Sequence, residues 1–153
     1  MNLGETGTAG LLRGVMFGAG AALASGLVWA GIAIFLNLEI GYAAVGVGWL
    51  AAFAVVAGFG RTGFVPQIVS VSCALFGLVV GKYLIVVDAV KDHVGKSDPA
   101  AADQIAWVSG SIVSLFVENF GSFLGPYDAL WALFALLAAW KTAGDRGGPG
   151  ESE

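Results

Sequence analysis

The sequence is poor in charge. Lys and Arg total 7, Asp and Glu total 11, and charged residues make up 12% of the 153. Soluble domains devote about 25% of their residues to charge. Too few ionised side chains remain to clothe a water-exposed surface, which excludes a soluble globular enzyme. The few cations, set against a net charge of −4, exclude the basic footprint of a nucleic-acid partner as well. Cys73 is the single cysteine, so it forms no intrachain disulfide and reads as a small buried hydrophobe. The single histidine, His93, stands beside Asp92 in a polar stretch, and one imidazole with scattered acids makes no zinc site. Motifs of the GxSxG, HExxH and Walker type are missing. No catalytic residue, metal or cofactor is therefore expected.

Apolar residues are what the chain does have: 58% of the sequence, with a mean hydropathy of +0.84. Three runs are long enough to cross a bilayer, which takes about 20 apolar residues. Leu12 to Leu36 carries one charge, Arg13, at its start; Ile40 to Phe59 carries none; Phe64 to Val87 carries Lys82 near its end. In lipid the backbone must bond to itself, so each reads as a helix. A fourth run, Tyr127 to Trp140, is shorter, with Pro126 before it and Trp140-Lys141 at its end as interfacial anchors. Ala22-Leu23-Ala24 resembles a leader cleavage site, but hydrophobicity continues to Leu36, past the about 7–15 residues of a leader core. The first run is expected to be a retained helix.

The fold class expected is thus all-α, a polytopic transmembrane bundle of about four spans. Asn37-Leu38-Glu39 and Gly60-Arg61-Thr62-Gly63 are too short for anything but antiparallel neighbours. Residues 11–143 are expected to form the membrane domain, with disordered ends at 1–10 and at the acidic, glycine-rich 144–153. Alternating sides puts Arg13, Arg61, Lys141 and Arg146 together and Lys91 and Lys96 opposite. By the positive-inside rule both termini are then cytoplasmic. Between the third and fourth spans, Asp98 and Pro99 signal a helix start. Ile105, Val108, Ile112, Leu115 and Phe116 then recur at helical spacing. They predict one amphipathic helix of about 20 residues over 99–119, lying in the interface; a further crossing is the alternative.

Small residues recur at intervals that matter in lipid, where close backbone approach replaces the hydrophobic drive. Gly14, Gly18, Ala22, Gly26 and Ala30 form one ridge along the first helix. Ala44, Gly48 and Ala52 make a seam on the second; Ser70, Cys73 or Ala74, Gly77 and Gly81 make one on the third. These seams serve packing within the chain or, alternatively, self-association. Ser25, Ser70 and Ser72 lack a base and read as backbone-bonded packers. Gln67 is expected to bond a neighbouring helix. Asp128, in the first turn of the last helix, reads as a complement to the helix dipole. Lys82 starts below the membrane surface, and Glu39 begins the second helix on the same face; either the two form an ion pair or each charge reaches lipid headgroups separately.

Two stretches carry a likeness. Trp29-Ala30-Gly31-Ile32-Ala33, Glu39-Ile40-Gly41-Tyr42-Ala43-Ala44-Val45-Gly46-Val47-Gly48 and Gly81-Lys82-Tyr83-Leu84 form the first. Gly125-Pro126-Tyr127-Asp128-Ala129-Leu130-Trp131 and Ala139-Trp140-Lys141 form the second. Together they resemble a group of small bacterial four-helix integral membrane proteins of unknown function. The resemblance implies a bacterial plasma membrane and a shared architecture, and no activity. The reading that follows is a non-catalytic scaffold or accessory subunit in the lipid bilayer, as a homo-oligomer or within a larger membrane complex. An oligomeric channel or transporter for a small solute is the alternative. A lipid-directed enzyme using Glu118, Asp128 or His93 is a third reading, for which convergent groups are lacking.

Overall fold

A computed structural model describes residues 3–36 and 41–144, with side chains placed from Thr8 onward. Four long helices carry the fold: α1 (Leu3–Leu36), α2 (Gly41–Phe59), α3 (Phe64–Gly95) and, after three short helices, α7 (Pro126–Ala143). The short ones are α4 (Pro99–Asp103), α5 (Gly110–Glu118) and α6 (Phe120–Phe123). No strand occurs among the described residues. By length and composition α1, α2 and α3 suffice to cross a membrane. α7 does not reach that mark, because Tyr127, Asp128, Lys141 and Thr142 occupy both ends of its 18 residues.

The helices run up, down, up, down. α2 and α3 form the centre; α1 packs on one flank of that pair and α7 on the other. Gly14 and Gly18 of α1 face Phe59 and Val55 of α2, which makes those helices antiparallel, whereas Gly26 faces Gly77 of α3 in parallel sense. The turn between α2 and α3 is tight because Gly60 and Gly63 take φ of 70° and 135°, values that favour glycine. The Gly63 N–H donates to the Ala143 carbonyl at 3.0 Å, pinning this turn to the end of α7. At about 1.5 Å per residue, α2 and α7 are each close to the hydrocarbon thickness of about 30 Å. α1 and α3 are far longer and overhang the bundle at opposite ends.

α1 begins at Leu3, within the stretch 1–10 set apart above from the membrane domain. Of the C-terminal stretch only Gly144 falls within the described residues. One expectation needs correction: residues 99–119 do not form one amphipathic helix. The start signal holds: Asp98 Oδ1 accepts the Ala100 and Ala101 N–H groups at 3.1 Å, with Pro99 at the first helical position. The helix then ends after Asp103. Lys91 Nζ donates to the Ile105 carbonyl at 2.9 Å and the Tyr83 hydroxyl donates to the Trp107 carbonyl at 3.0 Å. Both carbonyls are thereby occupied by α3 side chains, and Lys91 also lies 5.3 Å from the centre of the Trp107 ring. Ser109 starts the next helix by accepting the Ile112 N–H at 3.3 Å. Of the expected apolar stripe only Phe116 is buried, packed edge-on to Tyr83 and Phe120.

Candidate functional site

The small-residue seams lie between helices of the same chain. A Cβ on Gly14 would strike the Phe59 ring, and one on Gly18 would strike Val55 and Cys73. Ala22 is fully buried, and a Cβ on Gly77 would come within 2.6 Å of its carbonyl oxygen. A Cβ on Gly26 would fall on the Gly77 carbonyl, and one on Gly48 on the Ala135 carbonyl. Gly81 faces the Trp29 ring, with Cε3 2.7 Å from a Cβ position. At Gly26 and Gly48, then, backbone meets backbone and no side chain intervenes. Two further close approaches, one to backbone and one to a side chain, involve glycines outside these seams. A Cβ on Gly58 would come within 2.7 Å of the Arg13 carbonyl oxygen and of Gly14 Cα, and one on Gly41 would strike the Trp131 indole. Spacing held a signal for the second: Gly41 and Gly48 are two helical turns apart on one face of α2.

The serines divide. Ser25 Oγ donates to the Ala21 carbonyl at 2.7 Å and Ser72 Oγ to the Ile68 carbonyl at 2.9 Å, the back-bonding expected of them. Ser70 is fully buried, and its hydroxyl has no partner among the described residues. Gln67 Nε2 donates to the Trp140 carbonyl at 3.1 Å and so ties α3 to α7 at the end opposite Lys82. His93 is exposed on the overhanging part of α3. Among the described residues no group of three His, Cys, Asp or Glu side chains could hold a metal ion.

Polar groups converge at one place. Lys82 on α3 is 8% exposed, and its Nζ lies 3.3 and 3.2 Å from the two carboxylate oxygens of Asp128, in the first turn of α7. Asp128 Oδ2 also accepts the Gly125 N–H at 2.8 Å, so this carboxylate caps α7 and pairs a buried ammonium at once. The helix-end reading of Asp128 holds, and the ion pair is added to it. Glu39, the candidate partner of Lys82, lies outside the described residues. Glu39 is nonetheless only two residues before Gly41 in the chain.

The pair lines a cavity of about 470 Å³ between α2, α3 and α7, roofed by Phe120 and Leu124. Leu75, Leu78, Val79 and Ala132 form its apolar walls, and Trp29 and Trp131 reach it from α1 and α7. Trp29 is 6% exposed, and its indole N–H has no partner among the described residues. Binding cavities for small molecules have this size, mostly apolar walls and a few convergent polar groups. A second apolar groove of about 400 Å³ lies between α1 and α2. Ser25 is its one hydroxyl-bearing residue, already bonded to its own helix. No protein-family model matches this chain, and no curated protein or solved structure matches it.

Proposed function

We propose that the chain is a four-crossing protein of the bacterial plasma membrane that works without catalysis. It acts as a scaffold or accessory subunit through its outer surface, as a homo-oligomer or in a larger membrane complex. One observation carries this reading: the interior is closed where backbone touches backbone, at Gly26 against Gly77 and Gly48 against Ala135. A helix bundle closed in this way leaves no water-filled path along its own axis. What remains for recognition is the outside, where Phe17, Leu27, Phe53, Phe76 and Phe134 are each 43% exposed or more. A channel is the alternative, and its path would have to run between subunits. Flux measurement on liposomes reconstituted with the purified chain separates the two. Release of a trapped small solute is expected to match protein-free vesicles, and saturable release above that level would overturn the scaffold reading.

Support for a fourth crossing comes from register. α7 begins beside Gly41 and ends beside Gly63, so it runs the whole length of α2. Trp131, 4.8 Å from Tyr42, and Trp140, edge-on to Phe64, then stand near opposite faces as interfacial anchors. Support for cytoplasmic termini comes from charge: Arg13, Arg61 and Lys141 gather at the Gly63 end, and Lys91 and Lys96 lie beyond the other. In a Cys73→Ser background, single cysteines at Lys96 and Gly148 are expected to react with a membrane-impermeant maleimide from opposite sides. Reaction of both from one side would remove the fourth crossing.

A further inference from the structure

We propose that the cavity beside Lys82 and Asp128 binds a single-chain lipid with an uncharged, hydroxyl-bearing head. The cavity is polar at one end only. Lys82 and Asp128 sit where α7 begins, near one end of the bundle; Leu75 lies seven residues back along α3, about 10 Å deeper. Ala132, one turn after Asp128 on α7, continues the apolar wall in the same direction. A molecule filling this space has its head at interfacial depth and its tail toward the bilayer centre, the orientation lipids already have. Entry is sideways. Leu75 and Ala129 line the cavity and are also exposed on the outside of the bundle, where acyl chains lie.

The head is specified by the polar groups. Among the described residues Lys82 and Asp128 offset one another at about 3.2 Å, so an anionic head that approaches the ammonium meets the carboxylate, and a cationic head meets the reverse. An uncharged head meets neither penalty. An ionised carboxylate offers about four acceptor sites. The described donors to Asp128 are Lys82 at both oxygens and the Gly125 N–H, which leaves room for a ligand hydroxyl to donate. Trp29, which lines this cavity and also the α1–α2 groove, has a buried N–H unpartnered among the described residues, a donor that a ligand oxygen would satisfy. A glycerol monoester has both functions. The groove between α1 and α2 has similar volume and shares Trp29 with the cavity but has no charged residue, so it serves as an internal control for the Lys82–Asp128 end.

The test is photolabelling of the full chain in phosphatidylcholine nanodiscs. The probe is a monoacylglycerol with a diazirine on its acyl chain; the fatty acid and the primary amine of the same chain are comparators. Saturable labelling is expected within 75–82 and 124–132, at least tenfold stronger for the monoacylglycerol than for either charged probe. Ala132→Phe should lower it tenfold or more, and Gly46→Phe in the control groove should leave it unchanged. Should Ala132→Phe fail to fold, competition by unlabelled monoacylglycerol against unlabelled fatty acid on the unsubstituted protein decides the same point. Labelling spread evenly over the outer faces, or equal for the three heads, or equally displaced by both competitors, overturns the proposal. None of these outcomes alters the flux and topology results, so this inference and the scaffold reading fail separately.

Discussion

Gly48→Ala is expected to destabilise the bundle by about 3 kcal/mol, at the upper end for overpacking a tight interior. The added methyl falls on the Ala135 backbone of α7, carbonyl oxygen and carbon alike. No rotamer change relieves that contact; one helix has to move away from the other. Separation forfeits the close packing that stands in for hydrophobic drive within lipid. Gly26→Ala, which meets the Gly77 backbone, should behave likewise. Gly46→Ala, two residues from Gly48, is the control, since nothing lies within 4 Å of its Cβ position. It should be neutral or stabilising by up to about 1 kcal/mol, because alanine is the better helix former. Gly14→Ala falls between, as its obstacle is the Phe59 side chain, which has some freedom to turn. Reversible unfolding in mixed detergent micelles, followed by tryptophan fluorescence, orders the four variants. Equal losses at Gly48 and Gly46 would mean that the backbone contact does not hold the helices.

How much of this was legible depends on the range of the interaction. The Gly14–Gly26 ridge shows in the sequence because its period is one helical turn, a local property. Which helix each ridge meets is not local: Gly18 reaches α2 and α3 together, and Gly48 reaches α7 rather than α1. The break within residues 99–119 is hidden from the sequence for the same reason. Their apolar positions do recur at helical spacing, but Lys91 and Tyr83, 14 and 24 residues away from the carbonyls they bond, hold the chain out of one continuous helix. The helix start at Asp98 and Pro99 is legible, since a cap acts within three residues.

The site was half legible. Lys82 stands out in the sequence because an ammonium inside an apolar run needs a partner, whereas the place of Asp128 at a helix start already accounts for a carboxylate there. Their sequence separation is 46 residues, and no spacing rule connects them. Trp29 offered no sign at all, because an indole N–H becomes conspicuous only once burial leaves it without a partner.

Removing Lys82 from its pair with Asp128 should cost the fold about 3 kcal/mol or more, the usual result of stranding a buried charge. The two side chains are 10% and 21% exposed, so water screens them little. A lysine at the centre of a spanning helix costs about 2.5–3.5 kcal/mol to insert. The apposed carboxylate offsets part of that cost here, as does the position of Lys82 near a helix end. Lys82→Met leaves the Asp128 carboxylate among Leu78, Trp131 and the other apolar walls of the cavity. Asp128→Asn is the matched change on the other side: its amide oxygen can still accept the Gly125 N–H and keep the cap, while the charge is removed. The double variant holds no uncompensated charge at this pair, so it should be more stable than the sum of the two single losses predicts. A double-mutant cycle on unfolding in one detergent is expected to give a coupling above about 1 kcal/mol. Adding Glu39→Gln to each corner measures whether that acid, read from the sequence as a candidate partner of Lys82, shares the ammonium. If the two single losses merely add, the ammonium and carboxylate are neighbours without mutual stabilisation. The neutral head inferred for the cavity ligand then loses its physical basis as well.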